Sequence, residues 1–117
     1  MSVQHANDLP FEEVSAGTQR QVLISEDQGG HFAMRRFVMQ PGGGMPRHTN
    51  TVEHGQYIIR GRATICIGDK VFTVQQDDVV YIPASTPHWY RAEGDEPFEF
   101  LCMVPNLPDK IEVLEES

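Results

Sequence analysis

His48, His54 and His88 stand in stretches of this 117-residue chain that otherwise read as short β-strands. Imidazoles brought from separate regions onto one barrel wall can hold a divalent transition metal. His48 and His54 lie at even separation within "MPRHTNTVEHGQYIIRG", and His88 ends "DDVVYIPASTPHW", where a strand runs into a proline-bounded turn. Three such nitrogens leave open positions on an octahedral or tetrahedral ion for water, oxygen or substrate. A single histidine in a β-protein is more often a hydrogen-bonded core or surface residue. Two beside a Gly/Pro-rich loop and one after "PASTP" make a grouping that points to ligands instead. His5 and His31 lack such a setting and are assigned no role.

The elements that must position these rings are strands. "RQVLIS" (20–25) and "HFAMRRFVMQ" (31–40) are separated by the turn signal "EDQGG". "PGGGMP" (41–46) reads as a flexible loop, too rich in Gly and Pro for a regular element. "EHGQYII" and "RATICI" follow on either side of a bend at Arg60-Gly61, and Gly68-Asp69 makes a tight turn into "KVFTVQQ". After Asp77-Asp78 come "VVYIP", "HWYRAE", the turn "GDEP" and "FEFLCMVP". Turn signals about every 8 to 12 residues, without a helical period, predict an all-β sandwich or barrel. The tail "NLPDKIEVLEES" fits either a strand or a short helix.

Side chains alternate faces along a strand, so parity sorts the candidates. His48, Asn50, His54 and Gln56 share one parity; Glu53 and Tyr57 have the other. His88 shares a face with Tyr90, and Cys102 with Phe100 and Val104. The expected cavity is polar at its mouth and apolar below, as small-ligand pockets usually are. Gln56, Tyr90 and Cys102 are candidate catalytic or orienting residues, although each also suits a core. Arg35 or Arg36 must face inward, while Arg60 and Arg62 belong at the surface near Gly61.

Bulk properties narrow the function class. Hydrophobic content of 39% with 22% charged residues is ordinary for a globular domain, and the length suits one domain, 1–117, with its core at about 20–105. A net charge of -8 with scattered basic residues argues against nucleic acid, whose phosphates require clustered Lys and Arg. No apolar run approaches a membrane span, and the first residues lack the regions of a signal peptide, so a cytoplasmic location is expected. Cys66 and Cys102 then read as reduced thiols.

Together these residues resemble the cupins, in particular small single-domain bacterial and archaeal ones, over about residues 20 to 105. The first cupin motif, G-x5-H-x-H-x3,4-E-x6-G, is matched by His48-Thr49-Asn50-Thr51-Val52-Glu53-His54 and then Gly61 after six residues. The second, G-x5-P-x-G-x2-H-x3-N, is matched by Pro83-Ala84-Ser85-Thr86-Pro87-His88, with Asp78 in place of its first glycine. Phe98 to Cys102 is similar to the closing strand of small cupins with a four-histidine site. Asn50 stands where the second histidine usually lies, and His54 stands at the glutamate position. The resemblance therefore implies a jelly-roll β-barrel and one divalent transition metal (Fe, Mn, Zn, Cu or Ni) on His48, His54 and His88. Asn50 is a weak fourth ligand or a hydrogen-bond partner to bound water. It also implies a homodimer, supported by the outward Tyr57 and Trp89.

A metal lacking a carboxylate ligand keeps its full charge and favours anionic small molecules. No inward carboxylate offers itself as a general base, which favours dioxygenase chemistry. The alternatives are a Lewis-acid isomerase, lyase or hydrolase, a non-catalytic small-ligand-binding cupin, and a cupin whose metal site has decayed.

Overall fold

The computed structural model describes residues 2–114. A 3-10 turn at Ala6–Asp8 precedes β1 (Phe11–Ser15), β2 (Thr18–Ile24), β3 (Phe32–Met39), β4 (Gly44–Asn50), β5 (His54–Arg60) and β6 (Arg62–Ile67). Then follow β7 (Lys70–Gln75), β8 (Val79–Ile82), β9 (His88–Glu93), β10 (Phe98–Pro105) and β11 (Ile111–Val113). One antiparallel sheet is ordered β1-β2-β3-β10-β5-β8 and the other β11-β4-β9-β6-β7. They are the two walls of an all-β jelly-roll barrel, the fold that the resemblance implies. Among the described residues no helix is long and apolar enough to cross a membrane.

Alternation builds the core. Met39, Ile58, Ile65, Ile82, Phe98 and Phe100 each present the inward parity of their strand and are almost fully buried. They fill one end of the barrel, so the inward polar residues are left to the other end. Cys66 and Cys102 are both free. Tyr57 and Trp89 point outward, but from different sheets.

The structure corrects several local expectations. The run 41–46 is not all loop, because β4 begins at Gly44, where any Cβ would collide with the Tyr90 carbonyl. Pro46 has no N–H for a ladder, and it falls where the β4–β9 register shifts between Met45 and His48. Strands also begin well before residue 20: β1 pairs with β2, Phe11 opposite Gln21. The tail resolves as β11, with Ile111 opposite Asn50 and Val113 opposite His48; its last three residues lie outside the described ones.

Asp77, rather than Asp78, takes the left-handed backbone of the missing motif glycine, at φ 73°. Asp78 instead closes the turn by accepting from Gln75 N at 2.9 Å. Ser85 is also left-handed, at φ 64°, a conformation that costs a non-glycine residue ~1–2 kcal/mol. Its N–H donates to Asn50 O at 2.7 Å, tying the β8–β9 loop to the end of β4. That tie sets the start of β9 and hence the place of His88.

Candidate active site

A cavity of about 170 Å³ opens above the core, walled by both sheets. β4 contributes His48 and Asn50, and β9 contributes His88 and Tyr90. From the facing sheet, β5 contributes His54 and Gln56, and β10 contributes Cys102. His48, Asn50, His54, Gln56, His88, Tyr90 and Cys102, all sorted inward by parity, therefore reach one place, whereas Val104 packs against the core. His48, Asn50, His54, Gln56 and His88 are all buried, and Glu53 points out to accept from Tyr81 Oη at 2.6 Å. Of the adjacent arginines, Arg35 lines the cavity and Arg36 lies outside, bound to Glu99.

Backbone carbonyls orient two of the rings. His48 Nδ1 lies 2.7 Å from Pro46 O, and His88 Nδ1 lies 2.9 Å from Thr86 O. A carbonyl only accepts, so each Nδ1 donates and each Nε2 is turned elsewhere. His54 Nδ1 is buried with no partner. Burial lowers His54 to about 4, helped by the positive charge of Arg35 and opposed by Asp109. Burial likewise lowers His88 to about 4 against the stabilising Thr86 carbonyl. Both rings are therefore neutral near pH 7, the state in which imidazole ligates metal.

The amides are half-used. Asn50 Nδ2 donates to Asp109 Oδ2 at 3.2 Å. A carboxylate can only accept, so this contact fixes the amide and leaves Asn50 Oδ1 buried without a partner. Gln56 Nε2 donates to Tyr90 Oη at 2.6 Å, and Gln56 Oε1 is likewise unpartnered. Burial drives the Tyr90 hydroxyl well above the usual phenol range and also raises the Cys102 thiol, so both keep their protons. A protonated Cys102 is a poor nucleophile.

The donor types fit a divalent transition metal: neutral imidazoles with unclaimed nitrogens beside an unclaimed amide oxygen. Their spacing is looser than the sequence suggests. The His48 and His88 ring centroids are 4.2 Å apart, while His54 stands 5.9 Å from His88. Among the described residues no three His, Cys, Asp or Glu side chains are arranged to hold an ion. The structure thus brings the predicted ligands to one cavity without gathering them into a finished shell.

Sequence reasoning missed Asp109. It accepts from Asn50 and from Thr51 N at 3.1 Å, and it clips the β11 segment over the mouth. Its only signal was a carboxylate in a tail whose conformation was open.

Comparison with known proteins adds a family and several chemistries. The cupin domain family model matches residues 35–104. The 1-methylthio-D-xylulose 5-phosphate methylsulfurylase of Rhodospirillum rubrum is 33% identical over 117 residues, covering 100% of this chain and 72% of that protein. An acireductone dioxygenase of Cronobacter sakazakii is 31% identical over 98 residues, covering 80% of this chain. The chain spans about half (51%) of that dioxygenase's length. Among solved structures, the polyketide cyclase RemF of Streptomyces resistomycificus superposes with a TM-score of 0.89 at 24% identity, covering 100% of this chain and 87% of RemF. That likeness is one of fold.

Proposed function

The chain belongs to the cupin domain family, and from that premise we propose that it is a metal-dependent enzyme acting on a small molecule. His48, His54 and His88 hold one divalent transition metal, with Asn50 Oδ1 beside them. The carrying observation is an imbalance of hydrogen bonding. Among the described residues the four buried side-chain polar atoms without partners are Arg35 Nε, Asn50 Oδ1, His54 Nδ1 and Gln56 Oε1, and all four residues line this same cavity. Each such group costs about 1–3 kcal/mol to bury unmet, so their concentration in one place marks a site that completes itself with a ligand.

A bound metal would supply redox or Lewis-acid chemistry; the chain's own groups do the rest. The carbonyls of Pro46 and Thr86 hold two imidazoles in a fixed tautomer. Burial keeps His54 and His88 uncharged, so no proton must leave them before they ligate. Phe37, Phe100 and Tyr90 form a dry wall, with Tyr90 and Phe100 stacked at 5.4 Å. Gln56 takes up the Tyr90 oxygen and frees the hydroxyl proton to donate toward a substrate.

Dioxygenase-type oxidation is the leading reaction. Among the described residues no carboxylate lines the cavity to act as a general base, and the acireductone dioxygenase similarity agrees. The test is elemental analysis of untagged protein, followed by oxygen uptake with diketones, catechols and hydroxy acids. Near-stoichiometric metal with uptake is expected, and a metal-free protein whose His54→Ala variant behaves identically would end this reading.

One observation favours a second reading. The methylsulfurylase match runs the full length of the chain, which supports the Lewis-acid lyase alternative at the same site. Stoichiometric metal with turnover but no oxygen uptake selects it.

A further inference from the structure

We propose that Arg35 is a substrate-anchoring residue, and that it pairs with the carboxylate of a small monoanionic substrate inside the cavity. Arg35 lies on the inward face of β3, directly opposite Cys102 on β10. Its guanidinium carbon sits 5.6 Å from the centre of the Phe37 ring. Phe37 in turn stacks on Phe100 at 5.0 Å, so the cation is braced by an aromatic stack rather than by an anion. Among the described residues its only polar contact is a weak one, Nη2 to Cys102 Sγ at 3.8 Å. Arg35 Nε is buried with no partner.

Among the described residues no Asp or Glu lines the cavity, and the Cys102 thiol keeps its proton. The other lining arginine, Arg20, is already held by Glu12, Nε to Oε1 at 2.9 Å. Asp109, at the mouth, is held by Asn50 and Thr51, so among the described lining residues Arg35 alone carries a charge without a carboxylate partner. A planar carboxylate matches its fork with two parallel bonds and cancels it; a phosphate dianion would need a second cation. Apolar Phe37, Met45 and Phe100 around the charge keep water from competing.

The inference rests on the small-molecule reading above but is tested apart from the metal. The full chain, as purified and again with EDTA, is titrated with 2-oxobutyrate and with its neutral methyl ester by calorimetry, for wild type, Arg35→Met and Arg35→Lys. In EDTA the wild type should bind the carboxylate at least tenfold more tightly than the ester. Arg35→Met should lose that preference, and Arg35→Lys should retain only part of it. A purely structural Arg35 is separated by melting temperature. Arg35→Met should melt at or above wild type, because a half-buried charge without a carboxylate partner is removed.

Equal binding of acid and ester by the wild type, or an Arg35→Met variant that binds the acid unchanged or melts well below wild type, overturns the proposal. Metal content is measured on the same samples. Stoichiometric metal without acid preference overturns the Arg35 assignment alone, and acid preference without metal supports it while removing the metal reading.

Discussion

Two consecutive arginines on β3 sit in opposite circumstances. Arg36, on the outer face, donates to Glu99 Oε2 through Nε at 3.0 Å and Nη2 at 2.7 Å. Arg60 donates to the other Glu99 oxygen at 2.9 Å, and Gln21 caps the group while binding the carbonyls of Ala6 and Leu9. Glu99 is only 5% exposed although it lies on the outside of the sheet, because arginines cover it. One residue earlier, Arg35 faces the cavity with no carboxylate in reach among the described residues. The outer cluster has nearly every donor and acceptor met within the chain, whereas the cavity collects unmet ones. Stability therefore resides in the first and the capacity to bind in the second, as expected where functional sites are held at a cost to folding.

The largest effects should fall on the cavity side and on ligand rather than fold. His54→Ala or His88→Ala should abolish metal retention, a loss beyond about 100-fold in affinity, while the metal-free chain still folds. Asn50→Ala should weaken retention mildly, and Asn50→His should tighten it. Elemental analysis after dialysis reads all four variants. Retention unchanged by His54→Ala would break the comparison at its centre, since the unmet nitrogen would then serve no ion.

Acid should next separate the two clusters. In the metal-free chain His54 and His88 stand at about 4 when folded, against the ordinary 6.5. Between these values the unfolded chain binds more protons, so stability must fall as pH drops from 6.5 and level off below 4. The loss is on the order of 3 kcal/mol per ring at its limit. Urea unfolding with EDTA at pH 7, 5.5 and 4.5 measures it, and His54→Ala should flatten about half of the slope. A wild-type stability flat across this range would mean that the rings are not buried as described.

On the outer face the expected damage is to stability alone. Glu99→Gln keeps the shape but removes the charge that Arg36 and Arg60 share, and should cost about 2 kcal/mol. Both arginines are partly solvent-exposed, which caps the figure. Metal content should not change. A cost under about 0.5 kcal/mol would reduce this cluster to an ordinary surface ion pair.

Much of this was legible beforehand, because strand parity is a strict rule. His48, Asn50, His54, Gln56, His88, Tyr90 and Cys102 were sorted to one face by period alone, and all line the cavity. Runs 62–67, 88–93 and 98–105 emerged as β6, β9 and β10 with the same bounds. What stayed hidden depends on contacts distant in sequence. β4 starts inside a Gly/Pro-rich run because β9 passes close to Gly44. The tail becomes a strand only because β4 offers it an edge. Parity says that one of two adjacent arginines enters the barrel, but not which one finds a carboxylate waiting. Nor does it fix ring-to-ring distance: His54 comes from the sheet opposite His48 and His88, and the gap between the sheets sets its separation.

The finest test compares two buried glutamines. Gln21 is 1% exposed and its Nε2 donates to Ala6 O at 2.6 Å and to Leu9 O at 3.0 Å. Gln56 is 2% exposed, donates to Tyr90 Oη, and leaves Oε1 unmet. Methionine has nearly the same length and no polar end. Gln21→Met strands two backbone carbonyls and should cost about 1–2 kcal/mol. Gln56→Met gives up the bond to Tyr90 and a weak one to Cys102 Sγ at 3.7 Å but removes an unmet oxygen, so it should stay within about 0.5 kcal/mol of wild type. Paired urea titrations resolve that difference. Equal costs would mean that Gln56 is as fully engaged as Gln21, and the contrast between a satisfied outer face and a waiting cavity would fail at its smallest member.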